Sequence, residues 1–278
     1  MHILVRGTAN STTQNYADRI LAALFTTSLT KYGKKTLILQ TDSVHPVENV
    51  LLGREKKANA IRNEFTFTTN GMDAIWKNIR GGAMNADDWS DCCRNLSKQR
   101  QNGLDIADVS ADATFTDRLV SEFETFENIV KSADQWYDVI FIFANGNNTE
   151  LINKMRESKL DGGNFIDKEV VCVPQAPERL EDVEDNRYFA IKNFDFGSEF
   201  TLKEMSKFYG KRVYPVPYNI GFKDACLKEA ALHYFSTNIK NEENDENYRF
   251  SECISTLMGA LLGTEEKEDK TRNLAFRG

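Results

Sequence analysis

Histidine is scarce: His2, His45 and His233 are the only three in 278 residues, and they stand too far apart to share a ligand spacing, so no histidine metal site or triad is indicated. The five cysteines, Cys92, Cys93, Cys172, Cys226 and Cys253, are odd in number and lack C-x-x-C spacing. That gives no sign of a disulfide framework or a zinc site and favours buried, reduced thiols. No run approaches the ~18 apolar residues that a membrane span requires. No charged n-region and long apolar h-region precede the first strand, so a cytoplasmic location is expected. Positive charge is also short. A net charge of −7 and a pI near 5.2 disfavour general binding to nucleic acid or anionic lipid. No internal repeat is present.

What the chain does contain is enough apolar content, 41%, to bury a sizeable core. Ile3-Leu4-Val5 leads into Arg6-Gly7-Thr8-Ala9-Asn10-Ser11-Thr12-Thr13. Apolar and small residues at Ala17, Ile20, Leu21, Leu24 and Ser28 then predict a helix over Thr12 to Tyr32, stopped by Gly33. Thr36 to Leu39 reads as the next strand, which makes a β-α-β unit. Gly71 to Ile79, Asp88 to Gln99 and Phe115 to Ala133 have helical spacing, and Gly103 to Val109 reads as a strand. The unbroken run Val139-Ile140-Phe141-Ile142-Phe143 predicts a central strand covered on both faces. Further strands are expected at Glu169–Val173, Arg187–Lys192 and Arg212–Val216, with helices at Asn148–Ser158, Thr201–Phe208 and Phe222–Phe235. Trp76, Trp89 and Trp136 read as core residues. The fold class is α/β: a three-layer, doubly wound, mostly parallel sheet spanning 1–237. An acidic linker over 238–248, a C-terminal amphipathic helix over 249–263 and a polar tail over 264–278 complete it.

A strand, a small-residue turn and a helix start aim backbone N–H groups and a helix dipole at an anion. In order along the chain, the motifs resemble those of the ParA/MinD family of deviant-Walker P-loop ATPases. Arg6 to Thr13 stands in register with the family's K-G-G-V-G-K-T-T. Gly33-Lys34-Lys35 and the strand ending Gln40-Thr41-Asp42 match its D-x-D strand, Tyr137-Asp138-Val139-Ile140 its Walker B opening, and Val213 to Asn219 its closing I-P-Y segment. The layout from Gly71 to Asp138 is most similar to the TadZ/CpaE branch, whose members position pilus and secretion machinery. The resemblance implies a P-loop NTPase-like fold, a homodimer, and a nucleotide site formed by Arg6, Gly7, Asn10, Ser11, Thr12, Thr13, Asp42, Asn193 and Pro217. Asn193 would face the adenine, and Thr12 would touch Mg²⁺ only where a Mg-nucleotide is bound.

Three charges that the family's reaction needs are missing together. Ser11 replaces the P-loop lysine, Gln40 the first acid of D-x-D, and Phe143 the Walker B acid. Phosphoryl transfer is catalysed by positioning and charge, and each lost element costs ~10²-fold or more. No catalytic residue is therefore assigned. The expectation is a pseudo-ATPase that acts as a positioning, scaffold or adaptor protein for a secretion, pilus or partition machine, with ATP or ADP and Mg at most a weak or structural ligand. The alternative is an active ATPase of plasmid or chromosome partition that uses atypical residues. Phe250, Cys253, Ile254, Leu257, Met258, Leu261 and Leu262 give the C-terminal helix its apolar stripe. Its acidic flanks disfavour membrane binding and favour packing on the domain or on a second protomer.

Overall fold

The computed structural model describes residues 1–42, 47–51, 71–82, 84–96, 103–108, 110, 114–178, 180, 186–228, 231–238 and 246–264. It leaves some side chains within its helices undescribed, Ser11 and Thr12 among them. Eight strands form one sheet in the order β10-β9-β8-β1-β5-β2-β4-β3, with β1 at His2–Gly7, β2 at Thr36–Gln40, β3 at Arg94–Asn95, β4 at Leu104–Ile106, β5 at Val139–Phe143, β8 at Lys168–Val173, β9 at Arg187–Phe194 and β10 at Val213–Pro217. Every pairing in it is parallel except the short β3–β4 edge. A separate antiparallel hairpin joins β6 (Lys159–Leu160) to β7 (Gly163–Asn164).

Strand parity sorts the core into two layers, because successive side chains leave a strand on opposite faces. Ile3, Val5, Ile38, Val139, Phe141 and Phe143 pack with α1 (Ser11–Thr30) and with the helices Ile220–Leu227, Ala231–Asn238 and Glu246–Leu262. Leu4, Leu37, Leu39, Ile140 and Ile142 meet the helices Met72–Gly81, Ala86–Cys92, Phe115–Ser121, Phe123–Ala133 and Thr149–Glu157 on the other face. Val171, Val173, Phe189 and Ile191 pack against Leu202–Tyr209. Burial of β5 on both faces agrees with its unbroken apolar run. All five cysteines are buried and free.

Several expected boundaries shift. The helix expected over Asp88 to Gln99 stops at Cys92 and gives way to β3. Its start is earlier, fixed by a capping box in which the Asn85 side chain accepts from Asp87 N and Asp88 N while Asp88 answers Asn85 N. The helix expected from Phe115 to Ala133 is two helices, because Glu122 leaves helical geometry at φ −116° and ψ 44°. The helix expected over Phe222–Phe235 likewise divides after Leu227. Gly33, at φ 62°, supplies the left-handed turn that ends α1. The last described helix begins at Glu246 and buries residues from Phe250 to Leu261 against the α1 face. Linker residues 239–245 and tail residues 265–278 lie outside the described residues, as do His45, Asn102 and Val109.

Candidate functional site

Because β1 lies between β5 and β8, the loop leaving its C-terminal end opens at the crevice where the sheet's connections diverge to opposite sides. Asn10 opens α1 by accepting backbone bonds from Thr13 N and Gln14 N, both 3.1 Å. Gln14 is buried, and its side chain ties two loops together. Its Oε1 accepts from Gly7 N at 3.0 Å and Gly146 N at 2.8 Å, and its Nε2 donates to Ala144 O at 3.3 Å. Gly146 must be glycine there, since a Cβ would lie 2.4 Å from Gly7 O. Gly7 is held the same way by the Gln14 backbone, 2.5 Å from where its Cβ would be.

The loop's interior is filled by its own threonines. Thr8 N donates to Thr13 Oγ1 at 3.1 Å, the two hydroxyls meet at 2.7 Å, Asn10 N donates to Thr8 Oγ1 at 3.2 Å, and Thr13 Oγ1 donates to Asn10 O at 2.8 Å. Two of the loop's N–H groups, those of Thr8 and Asn10, are thus committed to the loop itself. The Glu178 carboxylate stands 3.3 Å from Thr8 Oγ1, which adds negative charge at the loop's mouth. No lysine is present in the loop to offset it. These residues fit a triphosphate poorly.

Arg6 does not face the crevice as the resemblance implied. Its parity is that of Leu4, which places its side chain on the face away from α1, where Nε donates to Glu169 Oε1 at 2.6 Å and Nη1 to Gly7 O at 3.0 Å. Glu169 is 1% exposed and also accepts from Arg156 Nη2 at 2.8 Å and Arg187 Nε at 3.0 Å. Burial pushes the Glu169 carboxyl up, but the three guanidiniums, Arg6 foremost, outweigh it and hold it below the usual glutamate value. Burial draws Arg6 down, opposed by Glu169.

Gly7, Asn10 and Thr13 do come together in the loop, and Ser11 and Thr12 begin α1. Gln40 is fully buried, with Nε2 donating to Ala107 O at 3.0 Å and Oε1 accepting from Val47 N at 2.7 Å. A carboxylate could not make the first of these bonds, so an amide suits this position. Phe143 is packed in the α1-side core. Asp42 is buried and accepts from Asn145 Nδ2 at 3.1 Å. Asn193 is exposed at φ 49°, beside the register shift between Val216 and Pro217 that sets Pro217 opposite Phe194. Asparagine tolerates that left-handed geometry, which gives Asn193 a backbone reason to be there.

Four residues escaped the sequence reading: Gln14, Glu169, Glu178 and Asp18. Only Gln14 left a signal, a polar residue on the apolar side of a helix's first turn. Asp18 lies on α1 among Tyr16, Cys172 and Cys226, and burial pushes its carboxyl up to about 7 against the opposing hydrogen bond from Arg19 N at 2.6 Å. A folded value above the unfolded one means that the folded state holds the proton more tightly, so stability falls as pH rises from about 4 through 7. Asp18→Asn, which keeps the acceptor, is expected to raise the melting temperature at pH 8 by roughly 2–8 °C and to change it little at pH 4. Parallel thermal melts at the two pH values check this.

No known family profile matches the chain, and no curated protein matches it. Solved structures do. The fold is similar to a ParA family ATPase from Chlorobium tepidum at 12% identity, covering 92% of this chain and 98% of that one with a TM-score of 0.61. It is similar to a chain of the MinC:MinD cell division complex of Aquifex aeolicus at 12% identity, 97% and 99% coverage and a TM-score of 0.59. It is also similar to the septum site-determining protein MinD of Pyrococcus horikoshii, complexed there with Mg-ADP, at 12% identity, 96% and 100% coverage and a TM-score of 0.56. At such identity the likeness shows the fold: a mostly parallel, P-loop NTPase-like sheet of the ParA/MinD kind.

Proposed function

We propose that this chain is a ParA/MinD-like pseudo-ATPase whose surfaces, and not phosphoryl transfer, carry its function: it positions or recruits a protein machine, in the manner of the TadZ/CpaE branch, as a dimer. The observation that carries this reading is the closed loop, in which Thr8, Asn10 and Thr13 satisfy one another while Arg6 is committed to Glu169. Each change would weaken a nucleotide site alone. Together with Ser11, Gln40 and Phe143 at the three charge-bearing positions, they leave a turnover reaction without its electrostatic parts. ATP or ADP with Mg is then at most a weak ligand.

Thermal shift with millimolar Mg-ATP or Mg-ADP, paired with mass spectrometry of nucleotide in the purified protein, tests the point. A ligand present at a hundred times its Kd stabilises by about 2.7 kcal/mol. That corresponds to a rise of roughly 5–10 °C in a domain of this size. The expected result is a shift near zero and no co-purifying nucleotide. A rise of that size, or stoichiometric ADP in the preparation, overturns the closed-loop reading.

A further inference from the structure

The guanidiniums gathered on Glu169 are more than packing calls for. Apolar side chains of similar size fill a buried ion-pair site as well or better, so the positive charge held there by Arg6, Arg156 and Arg187 needs another reason. The cluster also interrupts the apolar face of the sheet. Leu4 and Ile142 belong to the core under the helix Thr149–Glu157, and Val171 and Phe189 to the core against Leu202–Tyr209. Glu169 and Arg187 share the parity of Val171 and Phe189 on β8 and β9, and Arg6 shares that of Leu4 on β1. A charged seam thus runs between two apolar clusters.

Hydrogen bonds fix the guanidiniums and leave donors over. Arg6 Nε and Arg156 Nη2 both donate to Glu169 Oε1, at 2.6 and 2.8 Å, so these two side chains lie next to one another. Arg156 Nε and Arg187 Nε take Oε2 at 3.2 and 3.0 Å. Arg6 spends Nη1 on Gly7 O at 3.0 Å, and Arg156 reaches Asn153 Oδ1 with Nη1 only at 3.4 Å. Among the described residues Arg6 Nη2 meets no acceptor, and neither Arg6 nor Arg156 has a second carboxylate within ion-pair distance. One carboxylate cannot match both charges. Burial draws the Arg6 guanidinium down and Glu169 opposes it, while Arg156 and Arg187 push the same way as burial. Arg187 is sealed at 2% exposure, whereas Arg6 and Arg156 keep 11% and 21%, so solvent reaches the cluster past these two.

We infer that Arg6 and Arg156 bind a small organic acid through its carboxylate, on the face of the sheet opposite α1. Their two terminal nitrogens with N–H groups to spare match the two oxygens of a carboxylate, which guanidinium donors hold by charge-assisted bonds. Glu169, Gly7 and Asn153 already orient both side chains, so little rotamer freedom is lost on binding. A phosphate fits less well, because it brings a third acceptor oxygen and a second charge to a site where the Glu169 carboxylate stands beside the donors. The donors are recessed, which admits a free acid and hinders a carboxylate carried on a folded surface. The inference does not rest on the pseudo-ATPase reading, and either can fail alone.

The test is a titration of the full chain with sodium acetate and with sodium succinate, against sodium chloride and sodium phosphate at matched ionic strength, read by the side-chain Nε–H resonances of isotope-labelled arginine. Saturable shifts at Arg6 and Arg156 are expected with both acids, at midpoints of about 1–10 mM, within reach of ligands this small. Phosphate should act about tenfold more weakly and chloride not at all. Arg156→Gln, followed at the Arg6 resonance, should weaken binding by about tenfold, and Arg156→Lys, which keeps the pairing charge and loses the planar fork, should weaken it severalfold. Arg80→Gln changes an exposed guanidinium on the helix Met72–Gly81 and should leave binding unchanged. No saturable shift up to about 50 mM, an equal response to chloride or phosphate, undiminished binding in both Arg156 variants, or an equal loss in Arg80→Gln overturns the proposal.

Discussion

Replacing Glu169 with alanine is expected to be among the most damaging single changes in this protein. The carboxylate is 1% exposed and accepts from Arg6, Arg156 and Arg187 at 2.6, 2.8 and 3.0 Å. Its removal leaves three guanidiniums facing one another in a nearly dry site. Breaking a buried ion pair from one side costs about 3–5 kcal/mol, and like-charge repulsion adds to that. A melting temperature lower by roughly 10–20 °C is expected, read by circular dichroism. Glu169→Gln keeps the shape and isolates the charge. Since the folded carboxyl is held below its unfolded value, its stabilisation is present above the usual glutamate range and is lost as pH falls through the lower folded value. Wild type and Glu169→Gln melts should therefore converge in acid and diverge near neutrality. Equal melting temperatures at pH 7 would show that the cluster is not a structural lock.

Gly146→Ala is the second large effect, and it acts on the loop itself. The added Cβ would lie 2.4 Å from Gly7 O and 2.7 Å from Thr8 O, both backbone atoms, where no rotamer change relieves the clash. The loops after β1 and β5 must part, and with them go the two N–H bonds to Gln14 Oε1. Overpacking together with lost buried hydrogen bonds predicts about 3–5 kcal/mol of destabilisation, measurable by urea melts. Gly81→Ala is the matched control. Nothing lies within 4 Å of its Cβ position at the end of a helix, so no loss is expected. Comparable losses in the two variants would argue against the tight approach at Gly146.

The fold was largely legible because its signals are local. β5 is apolar through five residues and proves to be buried on both faces, and Gly33 stops α1 through a positive φ that glycine alone adopts cheaply. Helix breaks were not legible, because Phe115, Leu119, Phe126 and Val130 keep a helical rhythm across Glu122 even though the backbone bends there. The direction of Arg6 was harder still. Its partner Glu169 is 163 residues away, and only the sheet order, with β8 beside β1, brings them together. Thr13 shows the same limit: a hydroxyl in register with a phosphate-binding motif turns out to be engaged by Thr8 and Asn10.

Steady-state phosphate release from Mg-ATP, measured on the wild type, on Thr12→Ala and on Ser11→Lys, tests the central claim most directly. The account predicts that all three match the buffer rate, because a restored lysine at position 11 leaves Gln40, Phe143 and the closed Thr8–Thr13 contact in place. Turnover above background in the wild type, abolished by Thr12→Ala, would contradict it.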